Sequence, residues 1–331
     1  MLTLNKHELV FRFPEVHARA SLIVSFHRTL RLPDDNREYP LPPGLGNFPL
    51  SHVDDYANKL PAAWVEHGGV FFPMAQAEAM WISFSSTYPF AVKIAAGKVN
   101  AVSGQPWAPE LQKRTVGVEQ DYVSMPKQPW LDGFNVGQGV VRQFLAMPLG
   151  SGYTAEEQIT GEEMHGGLQI IAMPLKAEFY KDRDLYLERR SMQSDVMYSM
   201  SSVPAFDMGL APGGLMRQKI YKDDFGLDKW DQQHSSRCFV HLLNSEQYEA
   251  VTGTKPPSDV PTADDYAKAG LPWYQLYDEN KAAVAASPLL EGLDSVAALG
   301  VKKGENPLPD NAPISKAPVV HGIKAVREGS F

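Results

Sequence analysis

The sequence predicts an α+β protein: a β-rich barrel or sandwich of quasi-repeated strands, with a smaller helical C-terminal subdomain. Three observations carry that expectation. Two apolar runs end almost identically, Phe144-Leu-Ala-Met-Pro-Leu149 and Ile170-Ile-Ala-Met-Pro-Leu175, and a glutamine, Gln143 or Gln169, precedes each. A looser copy, Gly213-Gly-Leu-Met-Arg-Gln-Lys-Ile-Tyr221, keeps the glycine and the glutamine (Gln218) and loses the ending. Strand-like segments dominate residues 1–243, whereas capped helix starts gather after Ser245. The expected organisation is a main domain over 1–244, a helical subdomain over 245–300 packed on it, and an extended tail over 301–331.

Taken in chain order, residues 8–13 and 20–32 alternate or run apolar as strands do. Residues 31–46 carry a proline and glycine density that predicts a long ordered loop without regular elements. Met74 to Met80 has the composition of a short helix between two strands. Val92 to Val102 reads as a hairpin turning at Gly97-Lys98, and Asp121 to Met125 resumes a strand after a polar insertion over 105–120. Thr154 and Glu157 form a capping box for a helix over 154–160, because hydroxyl and carboxylate satisfy each other's free N–H groups. Cys238 to Leu243 is a further strand. Ser245 then caps a helix that runs through Val251 and ends at Gly253. Thr262 with Asp265 starts a helix stopped by Gly270, and helical segments are expected near 274–286 and 288–299.

At 331 residues, 44% hydrophobic and 21% charged, the chain can bury a sizeable core. Its net charge of −8 argues against nucleic acid or an anionic membrane surface as the main partner, since both require a basic footprint. A single cysteine, Cys238, excludes an internal disulfide and fits a reducing compartment. Charge interrupts every apolar run well short of the ~18 residues of a spanning helix, and the N-terminus lacks a signal-peptide pattern. A soluble, cytoplasmic protein is expected, with a small molecule or another protein as partner.

Several phrases are shared with a group of uncharacterised bacterial proteins, which the chain resembles over most of residues 8–275. They are Arg28-Thr-Leu-Arg-Leu-Pro-Asp-Asp35, Tyr39-Pro-Leu-Pro-Pro43, Ala95-Ala-Gly-Lys98, Gln128-Pro-Trp-Leu-Asp-Gly-Phe134, Tyr153-Thr-Ala-Glu-Glu-Gln158 and His165-Gly-Gly-Leu-Gln169. The resemblance implies no activity and no catalytic residue.

Four groupings are candidates for chemistry. In Gln128 to Phe134, Trp130 and Asp132 offer an indole face and a carboxylate to a ligand; the alternative is a plug and a tight turn. The repeated pairs Arg142-Gln143 and Arg217-Gln218 suggest an anion site if the copies converge. Strand neighbours point to opposite faces, however, so Arg and Gln need a bulge to share one pocket, and a solvated Arg opposite a core-facing apolar row is the alternative. Glu162 and His165 have a spacing used by carboxylate-bridged metal sites, but with one copy and flanking glycines a capped helix end is the expectation and no metal is assigned. Finally, Asp231, His234 and Cys238 form the one triad-like grouping, with Cys238 as nucleophile, His234 as base and Asp231 as orienter; a buried free cysteine is the commoner alternative.

No phosphate loop, dinucleotide fingerprint, nucleophile elbow or zinc-ligand cluster is present, so no cofactor is expected. The leading expectation is a non-catalytic binding or interaction protein, its ligand near Trp130, Asp132 and the His165-Gly166-Gly167 turn. The rival is a hydrolase or acyl-transfer enzyme using Cys238 and His234. A structural component of a multi-protein assembly is the third reading.

Overall fold

A computed structural model describes residues 1–112, 119–181, 206–258, 260–278, 281–306 and 313–322. The chain opens as a meander in which β1 (Leu2–Asn5), β2 (Glu8–Arg12) and β3 (Ser21–Thr29) pair antiparallel in turn. Three short strands follow, β4 (Glu38–Tyr39), β5 (Gly44–Asn47) and β6 (Ser51–His52), then helix α1 (Ala62–His67). The centre of the chain supplies β7 (Val70–Met74), β8 (Ala79–Ser85), β9 (Phe90–Ala96), β10 (Val99–Asn100), β11 (Val123–Met125), β12 (Trp130–Leu131), β13 (Gly133–Gly137) and β14 (Val140–Pro148). Helix α2 (Ala155–Thr160), β15 (Leu168–Pro174), β16 (Asp207–Arg217) and β17 (Ser236–Asn244) come next. The C-terminal part holds α3 (Ser245–Thr252), α4 (Ala263–Lys268), β18 (Pro272–Gln275), α5 (Pro288–Glu291), α6 (Val296–Lys303) and β19 (Val319–Gly322).

Strands β1 to β17 connect into one sheet system. One half runs β1-β2-β3-β8-β14-β16, all antiparallel. The other runs β7-β17-β15-β9-β11, with β7 parallel to β17 and the rest antiparallel. The halves join where Asp207 and Met208 of β16 pair with Leu243 and Leu242 of β17. Side chains from both, among them Phe11, Phe26, Ile82, Ile94, Ile170 and Val240, share one core. The look-alike segments therefore do meet in a single sheet system: β14 pairs directly with β16, and β15 reaches them through β17. Burial of these apolar rows, at roughly 25 cal/mol per Å² removed from water, is what drives the sheets together.

Strands β9 and β15 are buried on both faces, so their outer faces need cover. Part of it comes from the insertion after β10, which Lys93 of β9 ties down. Its ammonium, 1% exposed, pairs with Asp121 at 2.7 Å and donates to the Ala108 and Glu110 carbonyls. Helix α2 supplies more. The Glu156 carboxylate accepts from the Lys98 N–H in the β9–β10 turn and from the Gly166 N–H before β15. The C-terminal helices lie against different strands: α3 against β17 and β7, α5 against β13, α6 against β16. Among the described residues no helix is long and apolar enough to cross a membrane.

Several local expectations hold. The capping box of α2 forms through Thr154 and Glu157, the hairpin turns at Gly97, and Thr262 caps α4 by accepting from the Asp265 N–H. Others are corrected. Residues 74–80 turn tightly instead of forming a helix, because the Ala77 N–H and the Glu78 carbonyl bond to Ala146 of β14. The proline-rich segment contains β4 and β5, which pair with β16 and β3 between its prolines. Asn244, not Ser245, is the N-cap of α3. Residues 272–275 form a strand in place of the start of the helix expected near 274–286, since Tyr274 exchanges main-chain hydrogen bonds with Leu41. Within the expected tail, β19 pairs in parallel with β18.

Buried glutamines close the gaps that the strands leave. Gln143, fully buried at a register shift of β14, accepts from the Leu32 N–H and donates to the Leu30 carbonyl, both at 2.9 Å. Gln143→Leu leaves both peptide groups without partners and is expected to cost about 2–4 kcal/mol in urea unfolding. Exposed Gln233→Leu should change stability by less than about 0.5 kcal/mol.

Candidate functional site

The Trp130–Asp132 grouping is a structural knot. Asp132, between β12 and β13, is 4% exposed; its N–H donates to Gln218 Oε1 at 2.9 Å and its Oδ2 accepts from Gln218 Nε2 at 2.6 Å. Gln128 Nε2 donates to the Trp130 carbonyl. Burial pushes the Asp132 carboxyl up to about 8, against the opposing pull of the Trp130 and Gln218 side chains. At neutral pH it is therefore mostly the uncharged acid.

The two arginines share one face of the sheet. Arg217 lies opposite Val140, and Arg142 is two residues along from Val140 on the same side of β14. They do not leave their charges open to a common anion. Arg142 reaches Asp34 at 3.5 Å and the Gly213 carbonyl at 3.1 Å, and Arg217 pairs with Glu38 at 3.2 Å. Both carboxylates come from the proline-rich segment, which the arginines hold onto the sheet. Gln143 points into the core instead, so Arg and Gln part company as strand alternation requires.

His165 lies elsewhere, in the turn before β15. Its ring is 6.2 Å from that of His67, which stacks on Phe239 of β17. Burial, then the charges of Lys98 and His67, lowers its pKa. Trp130, with which it was expected to share a ligand, lies in β12, and Asp132 lies between β12 and β13, beside β8 and β14. Glu162 pairs with Lys98 at 3.6 Å, and among the described residues no three His, Cys, Asp or Glu side chains converge as metal ligands.

The triad-like grouping divides. Asp231 Oδ2 meets His234 Nδ1 at 2.8 Å, and Asp231 Oδ1 accepts from the N–H groups of Gln233 and His234. Burial works to raise the Asp231 carboxyl, but the hydrogen bonds from His234 outweigh it and hold the group below the usual range. Cys238 does not join them. Its side chain faces the core, 2% exposed, and its thiol donates to the Phe239 carbonyl at 3.3 Å. Burial pushes the thiol up to about 12, far from the thiolate a nucleophile needs.

Asp231 and His234 line a cleft of about 780 Å³. Its other walls are Glu15 and Val16 from the β2–β3 connection, Lys176 to Glu178 after β15, and Leu227 and Asp228. Trp230 forms part of the lining and is fixed by Asp223, which accepts from its indole N–H at 3.1 Å and from the Tyr122 hydroxyl at 2.7 Å. The loops are clamped by Lys176 N–H to the Lys229 carbonyl and Asp231 N–H to the Pro174 carbonyl. Sequence reasoning missed Glu15, Lys176, Glu178 and Trp230, because separate stretches of chain build this cleft and none carries a motif. No protein-family model, curated protein or solved structure matches the chain.

Two measurements check these environments. Burial raises the Asp132 pKa from 3.8 to about 8, so the stability it contributes is full below about 3.8 and lost as pH rises through about 8. Asp132→Asn removes that dependence, and at pH 9 its thermal midpoint should exceed the parent's by about 5 °C; equal alkaline sensitivity contradicts a buried neutral acid. For Cys238, a thiol reagent at pH 7 should label the native protein only on the timescale of unfolding, with or without His234→Ala. Rapid native labelling that depends on His234 restores the nucleophile.

Proposed function

We propose that this chain is a non-catalytic, cytoplasmic binding protein that takes a small-molecule ligand in the cleft between Glu15, Ala177 and His234. One observation carries the reading: an opening of about 780 Å³ brings apolar side chains together with a hydrogen-bonded Asp231–His234 pair. Ligand sites typically have volumes of roughly 300–1,000 Å³ and a few placed polar groups against apolar walls. The net charge of −8 favours a ligand other than nucleic acid, in keeping with the composition.

The acyl-transfer alternative loses support with the buried thiol, since an Asp–His pair orients a base but supplies no nucleophile. The binding reading rests on the Asp231–His234 cleft, and the Trp130–Asp132 knot serves to hold strands together.

Ala177 is exposed at the cleft, so a tryptophan there fills the opening without entering the core. In a thermal-shift screen against a metabolite library, compounds that raise the melting point of the parent should lose that effect with Ala177→Trp. Equal shifts in both proteins, or no compound whose effect depends on Ala177, contradict the proposal.

A further inference from the structure

We infer that α1 is an acid-released flap, closed on β17 at neutral pH and set free when the imidazoles around its C-terminal end take up protons. Three elements supply those imidazoles. His241 of β17 is 5% exposed; its ring stacks on Trp64 of α1 at 4.5 Å, and its Nε2–H donates to the Gly68 carbonyl at 3.0 Å. His67, in the last turn of α1, stacks on Phe239 of β17 at 4.7 Å and lies 6.2 Å from the ring of His165, in the turn before β15. None of these residues lines the cleft, so the flap is independent of the ligand reading.

The joint is built to part. Trp64 packs in a small cluster with Val53, Leu60, Phe71, Leu243 and Tyr248, separate from the main core, so opening α1 leaves that core intact. Gly68 and Gly69, at φ of +64° and +90°, join α1 to β7 and give the helix a hinge. The surrounding charges are mixed. Arg237 lies over Phe239 at 5.2 Å, and Lys98, paired with Glu162, stands by His165. Strands β7 and β15, which flank β17, carry no ionisable side chain, and α3 brings the exposed Glu246 and Glu249 beside the buried Tyr248. Asp207 of β16 accepts a hydrogen bond from the Trp64 side chain. Burial lowers the His241 pKa to about 4; the Gly68 carbonyl works against this and the charge of His67 adds to it. The stability that ring contributes is full above about 6.5 and lost as pH falls through about 4. Between pH 7.5 and 5.0 this linkage favours opening by about thirtyfold. Asp207, raised by burial, pulls the other way and leaves a net effect of about tenfold.

The test is hydrogen exchange of the full chain at pH 7.5 and 5.0, with rates corrected for the intrinsic effect of pH. Amides of residues 64–68 should exchange about tenfold faster at pH 5.0, while those of β9 and β15 keep their protection. His241→Gln retains a donor for the Gly68 carbonyl but takes no charge, and should reduce the acceleration to less than about threefold. Acceleration that persists in full in His241→Gln overturns the flap. The parent decides the matter by itself if that variant fails to fold: protection of 64–68 unchanged at pH 5.0, or lost together with that of β9 and β15, contradicts the inference.

Discussion

Where strand pairing stops in this protein, carboxamide side chains take over the task of satisfying buried peptide groups. A glutamine head carries the same acceptor and donors as a peptide unit, so it can stand in for a missing neighbour in the ladder. Gln143 does so beyond the end of β3, and Gln218 bridges the step between β12 and β13. Gln128 bonds the Trp130 and Lys219 carbonyls and the Tyr221 N–H, while Gln120 accepts from the Asp223 N–H and donates to the Tyr122 carbonyl. A fixed carboxylate in those places brings a buried charge and loses the donor, and an aliphatic side chain leaves peptide groups orphaned.

This arrangement holds together a sheet system of short, branching strands, and it connects the core to the cleft. Gln120 holds the segment around Asp223, and Asp223 in turn accepts from Tyr122, Ser124 and the Trp230 indole. Trp230 also bridges Leu175, the last residue of the repeated Ala-Met-Pro-Leu ending. The same ending therefore does two jobs: after β14 it leads into a glycine turn, and after β15 it delivers Lys176 to Glu178 to the cleft wall.

Local signals are the legible ones. The reciprocal bonds of Thr154 and Glu157 and the glycine turn at Gly97 depend on neighbours in sequence, and β14 and β15 can be read from their apolar rows. The repeated glutamines stand out, but their role does not, because the groups they bond lie 72 to 113 residues away. Helix-favouring composition at 74–80 is overruled by main-chain bonds to Ala146, and Tyr274 is drawn into a strand by Leu41. The Asp231–His234 half of the triad follows from a three-residue spacing. The fate of Cys238 depends on which face of β17 meets the core, something its loop neighbours do not encode.

Hydrogen exchange followed by NMR tests the glutamine account most directly. The amides of Leu32, Asp132, Tyr221 and Asp223 donate to glutamine side chains and lie outside the strands. They should exchange as slowly as amides in β9 and β15, opening only with the sheet. Exchange at the rate of solvent-exposed loop amides contradicts the idea that side-chain carboxamides hold this sheet system together.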